Sequence, residues 1–244
     1  MQRLRLGGVR YLNARPLLHG LEDRSSLLLA TPSRLAARFE AGELDAALLP
    51  SAAWLARPDW GRVPDLGIAS EGPVESVSLL HRVERDRIRR VALDEGSITS
   101  ATLLRLLAPE ALPPGVVYET RAPTPHLLDE GFDAVLVIGD PALQARAWGL
   151  RSWDLGEAWT RATGLPFVWA VWAVRPGLDP EAVAPMLREA AAAGLRAIPE
   201  HAAAGARALG LDEPFCRRYL GEVIRYRLGE AEGRGLAEFA ARLR

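Results

Sequence analysis

Two stretches of this chain follow one plan. "FEAGELDAALLPSA" (39–52) and "LDEGFDAVLVIGDPA" (128–142) each carry the end of a helix, a glycine, an Asp-Ala pair and an apolar strand that runs into a small turn. A strand this apolar belongs inside a parallel sheet covered on both faces. The period, about ninety residues, is far too long for a solenoid. The repeat therefore specifies two similarly built α/β lobes.

The flanking sequence extends the plan. "LRLGGVRYL" and "SLLLA" read as strands, followed by the helices "PLLHGL" and "PSRLAARFEAG", the second capped at Ser33 and stopped at Gly42. In the other half "IRRVALD" and "VVYETR" read as strands, while "SITSATLLRLL" and "TPHLLDEG" read as helices. Between the halves lies "VESVSLLHRVERDRIRR" (74–90), a strand with a charged connector, and the chain returns through the β-branched and aromatic "LPFVWAVWAVR" (165–175). Alanine-rich helices close the sequence. Two crossings between two α/β lobes predict a hinged clamshell with a ligand cleft. The expected partition is 1–84 plus 174–244 for the first lobe and 85–173 for the second.

Composition removes several classes of function. The formal net charge is −1, so no global field favours nucleic acid or an anionic membrane. All 30 basic residues are arginine, which rules out a lysine Schiff base or a Walker-type phosphate lysine. Cys216 is the only cysteine, so there is no internal disulfide or thiolate cluster. His19, His81, His126 and His201 are scattered without metal-ligand spacing, and no metal is expected. The opening "MQRLRLGGVRYLNARPL" has no apolar signal region, and no run approaches the length of a membrane span. The expectation is a cytoplasmic protein with a small-molecule ligand, no nucleic-acid or membrane partner, and C-terminal helices able to expose a homodimer face.

Ligands of parallel α/β sheets bind beyond the carboxyl ends of the strands. That rule selects four turns: Asn13-Ala14-Arg15-Pro16, Pro50-Ser51, "DEGSITSA" with Ser97, Thr99 and Ser100, and Gly139-Asp140-Pro141. Hydroxyls and free N–H groups at a helix N-terminus suit an anion. An ordinary cap needs one hydroxyl, not three within four residues. Asn13 offers hydrogen bonds without charge, against the alternative of a cap or Asx-turn. Ser76 lies in the first crossing strand, where side chains can face the cleft. Asp45 and Asp133 read as turn residues, while Asp94 and Asp140 are the better carboxylates for a site. Trp159, Trp169 and Trp172 read as core, with one of them free to wall a ligand.

The stretches "VRYLNARPL", "AGELDAALLP", "ESVSLL", "VALDEGSITSATLLRLL", "FDAVLVIGDPAL", "DLGEAWTRATGLPFVWAVWAVR" and "IRYRLG" give the chain a further meaning. In this order they resemble the chorismate dehydratase family of the futalosine route to menaquinone. The resemblance implies a type II periplasmic-binding-protein-like fold and a hydro-lyase that converts chorismate to 3-[(1-carboxyvinyl)oxy]benzoate without a cofactor. It implies Asn13 and Ser76 as catalytic residues, while the strand-end turns put Ser97, Thr99, Ser100, Gly139 and Asp140 forward as substrate-binding residues. None of the four turns holds a histidine, and Asp140, the alternative base, would face a dianionic substrate as a like charge, so the substrate's own enolpyruvyl carboxylate is the expected base. The sister dihydroxynaphthoate synthase, which carries a catalytic histidine where this chain has Gly139 and Asp140, is the alternative enzyme. A non-catalytic carboxylate-binding protein is the alternative from another class.

Overall fold

The computed structural model describes residues 3–244. β1 (Arg5–Val9) pairs in parallel with β2 (Ser26–Ala30) on one side and β3 (Ala46–Pro50) on the other. The chain continues through β4 (Gly61–Ser70) and crosses into β5 (Val77–His81). β6 (Arg90–Asp94) then repeats the part of β1, flanked in parallel by β7 (Val117–Arg121) and β8 (Ala134–Ile138). After β9 (Arg151–Asp154) the chain returns as β10 (Phe167–Val174), and β11 (Arg225–Arg227) completes the strands. The two sheets run β11-β4-β10-β3-β1-β2 and β7-β6-β8-β5-β9. β3 and β8, the strands of the sequence repeat, each also take an antiparallel crossing strand, β10 and β5 respectively.

Sheet membership moves both expected lobe boundaries. β5 pairs within the second sheet and β10 within the first, so the crossings fall at residues 71–76 and 164–166. A charged connector marks where a strand ends. It carries no information about which sheet the strand joins.

The repeated aspartates are strand clamps, not turn residues alone. Asp45 Oδ2 accepts the Arg5 N–H at 2.9 Å, and Asp133 Oδ2 accepts the Arg90 N–H at 2.9 Å. Each carboxylate thus ties the start of its third parallel strand to the start of the first. Asp45 also takes the Arg175 guanidinium at the end of β10. Its carboxyl is held at about 2, chiefly by the Arg5 side chain.

Three details depart from the sequence reading. The helix Pro32–Glu40 is preceded by Thr31, so Ser33 lies inside it. "TPHLLDEG" forms only a short 3-10 turn, Pro125–Leu128, with Thr124 accepting from the His126 N–H. β4 escaped notice because Pro64 and glycines interrupt its apolar alternation. The closing helices include Ala184–Arg196, Glu213–Arg218 and Glu230–Arg242. Ala184–Arg196 packs on the short helix Arg15–Leu18, and Glu230–Arg242 on β10. Among the described residues no helix is long and apolar enough to cross a membrane.

Candidate active site

The carboxyl ends of β1, β3, β6 and β8 converge on one cleft between the lobes. It encloses ≈ 560 Å³, open mouth included. Asn13, Ser76, Ser97, Thr99, Ser100 and Gly139 all line it. Apolar walls come from residues such as Val9, Ile68, Val74 and Ile138, and the Tyr11 and Trp169 rings complete the enclosure. No lining side chain is charged, and none is a histidine.

Local geometry explains how each polar group reaches the cleft. Past β1 the chain makes a 3-10 turn, Leu12–Ala14, and Pro16 opens the next helix. The Asn13 side chain caps neither element, and its Oδ1 is buried without a protein partner. Ser76 is the last residue of the first crossing. Its carbonyl accepts the Gly139 N–H at 2.8 Å, while its buried hydroxyl has no partner. Glu75, the residue before it, is the one described non-glycine residue with positive φ, at 64°. That conformation is costly. It is held by Asp154, which accepts the Glu75 N–H at 2.7 Å, and by ion pairs to Arg146 (3.0 Å) and Arg218 (2.6 Å).

The hydroxyl-rich turn divides its labour. Ser97 Oγ accepts the Ala101 N–H at 3.1 Å, from one residue before the N-cap Ile98 of the helix Thr99–Ala111. Thr99 Oγ1 accepts the Ala52 N–H at 3.1 Å and so links the lobes. Ser100 lines the cleft beside them. The N-terminal end of this helix, with its unpaired N–H groups and dipole, faces the same space.

Gly139 and Asp140 have separate parts. Gly139 has φ +61° and lies against the Tyr11 ring, where any Cβ would collide. Both constraints require glycine. Asp140, expected to bind substrate, does not line the cleft: its Oδ1 accepts the Leu12 N–H at 2.7 Å across the lobes. A carboxylate beyond a strand end reads alike in sequence whether it meets a ligand or a backbone donor. Arg15 lies on the outer side, in a depression with His19 and His201. Asp94 is also outside the lining. Its Oδ1 accepts the Gly96 N–H at 2.7 Å, and burial pushes its carboxyl up to about 6.

Tyr11 is the lining residue the sequence reading missed, although it stands in the same "RYLN" run as Asn13. Trp169 is the tryptophan that walls the cleft, its indole N–H donating to Ser70 Oγ at 3.0 Å. Trp159 and Trp172 are fully buried core. Among the described residues no group of three or more histidine, cysteine, aspartate or glutamate side chains is placed to hold a metal ion.

Two doubly crossed lobes around such a cleft define a periplasmic-binding-protein-like fold. A protein from Archaeoglobus fulgidus superposes with a TM-score of 0.79 at 18% identity, covering 98% of this chain and 96% of that one. The periplasmic aliphatic sulphonate binding protein of Escherichia coli gives 0.62 at 19% identity, over 99% of this chain and 86% of its own. The alkanesulfonate-binding protein of Xanthomonas axonopodis pv. citri gives 0.65 at 16% identity, over 100% and 94%. These likenesses are of fold. Sequence goes further: residues 4–244 match the family described as menaquinone biosynthesis. The Thermus thermophilus chorismate dehydratase is 37% identical over 98% of this chain and 94% of its own length. This chain belongs to that menaquinone biosynthesis family.

Proposed function

We propose that the protein is a chorismate dehydratase, a cytoplasmic hydro-lyase that converts chorismate to 3-[(1-carboxyvinyl)oxy]benzoate in the futalosine route to menaquinone. The observation that carries the reading is the uncharged, donor-rich cleft, found in a chain of this family. The name of the Thermus thermophilus relative supports the choice of substrate.

The chemistry suits such a cleft. Removing the hydrogen at ring carbon 3 places charge that spreads through the ring into its carboxylate. Expulsion of the hydroxyl at carbon 4 then gives an aromatic ring, which drives the reaction without electron transfer. The protein must position the ring and stabilise the developing charge. We assign the ring carboxylate to the N-terminus of Thr99–Ala111 with Ser100, where N–H and O–H groups meet an anion. Asn13 directs its amide N–H groups at the departing oxygen, and Ser76 Oγ accepts the hydrogen of that hydroxyl in the bound substrate.

A base is still needed, and the lining has no ionisable group of suitable pKa; Tyr11 is held protonated by burial. We assign the role to the enolpyruvyl carboxylate of the substrate. It takes the carbon-3 proton and returns it to the leaving oxygen, so one water departs and the carboxylate is restored. The test is to incubate the purified protein with chorismate alone and follow products by chromatography with mass detection. An aromatic product lighter by one water is expected. Asn13→Ala and Ser76→Ala should each lower kcat by about 100-fold or more. Unchanged chorismate with a ligand-induced thermal shift would instead mark a binding protein.

A further inference from the structure

Three oxygens behind the cleft need hydrogen-bond partners. Asn13 Oδ1, the Ser76 hydroxyl and the Tyr219 hydroxyl are all buried, and none makes a hydrogen bond of good geometry within the protein. They are neighbours: the Tyr219 hydroxyl stands beside the Ser76 and Asn13 side chains. A buried polar atom left unpaired is costly. Three facing one another are better explained as one hydrogen-bonding unit. Tyr219 itself is fully buried and does not line the cleft, so it does not bind substrate directly.

The backbone brings Tyr219 there by an irregular route. The helix Glu213–Arg218 runs into a π-helical turn, Tyr219–Val223, closed by the Ile224 N–H donating to the Tyr219 carbonyl at 3.0 Å. Such turns are rare and recur at functional sites. This one packs against the Leu12–Ala14 turn that carries Asn13. Arg218, the residue before Tyr219, grips Glu75, the residue before Ser76, through both carboxylate oxygens at 2.6 and 2.8 Å. The same pair of contacts therefore sets Tyr219 against Asn13 and Ser76 together.

We propose that Tyr219 is a positioning residue for the dehydration: its O–H donates to Asn13 Oδ1 and turns the Asn13 amide N–H groups into the cleft. Its oxygen accepts the Ser76 O–H, leaving Ser76 Oγ free to accept from the substrate hydroxyl. The circuit is directional, and every donor in it has one acceptor. Burial holds the phenol protonated, well above the usual tyrosine range, so the donor persists at any working pH. The proposal rests on the dehydratase reading for its catalytic meaning.

The test uses a convenience of the sequence: Asn13 is the only asparagine in the chain. Protein labelled with ¹⁵N-asparagine therefore reports a single side-chain amide. Tyr219→Phe keeps the ring and removes one oxygen. It is expected to shift the Asn13 amide resonances and lower kcat by about 10- to 100-fold. KM for chorismate should stay within about threefold, because the cleft walls and the carboxylate anchor that dominate ground-state binding are unchanged. An unmoved amide, or a moved amide with full kcat, overturns the proposal. Wild-type protein that turns over no chorismate sinks the dehydratase reading instead, and the amide spectrum then still decides whether Tyr219 holds Asn13.

Discussion

At the scale of single residues, one buried carboxylate beside the cleft, Asp94, carries a pH signature. Asp94 has a carboxyl pushed up to about 6, first by desolvation, against the pull of the Gly96 and Ile138 N–H groups. An acid whose folded pKa lies above its unfolded value of about 3.9 favours folding most below that unfolded value. The advantage fades as pH rises through the folded pKa near 6. Asp94→Asn should therefore gain on wild type between pH 4 and pH 7, by at most about 3 kcal/mol. Urea unfolding at the two pH values measures this, and a difference that does not change with pH would mean Asp94 titrates normally. Asn13, Ser97, Thr99, Ser100 and Gly139 were legible in sequence because the carboxyl ends of strands are where ligands bind, and Ser76 because a crossing strand borders the cleft. Tyr219 was not. It lies far down the chain in a helical tail, and a π-helical turn leaves no periodic signature.

At the scale of elements, the repeat was legible to the strand, because apolar runs bounded by glycine and Asp-Ala resist other readings. What it concealed was the use of the repeated aspartates. A side chain accepting a backbone N–H from a strand some forty residues earlier leaves no local pattern. Asp45→Ala and Asp133→Ala should each cost roughly 1–3 kcal/mol of stability, since the first frees the Arg5 N–H and the second the Arg89 and Arg90 N–H groups from their acceptor. Asp45→Ala should cost more, because Arg5 and Arg175 side chains also lose their acceptor there. Denaturant midpoints at constant slope give the comparison, and the reverse order would mean that the β10 contact adds nothing.

At the scale of the whole molecule, the polar links that join the lobes among the described residues include Leu12 with Asp140, Ala52 with Thr99, Ser33 with the Gly96 carbonyl, and Gln144 with the Leu209 carbonyl. Asp140 is therefore expected to govern closure. Asp140→Asn keeps an accepting oxygen and should retain kcat within about threefold, whereas Asp140→Ala should raise KM about tenfold, the equivalent of one lost hydrogen bond. Small-angle scattering with product bound should show the alanine variant more open. Loss of turnover in Asp140→Asn with binding intact would implicate this carboxylate in proton transfer and contradict the substrate-assisted route.

The position of β10 has a consequence for how the chain is made. In the first sheet β10 lies between β3 and β4, which precede it by about a hundred residues or more. Until it leaves the ribosome, β3 keeps an open edge and β4 has no place in the sheet. The second sheet draws only on residues 77–154, a single uninterrupted stretch. Synthesis therefore delivers the later-encoded lobe complete while the earlier one waits. The nascent chain's most exposed apolar edge belongs to the segment that emerged first, which is where a chaperone would find it.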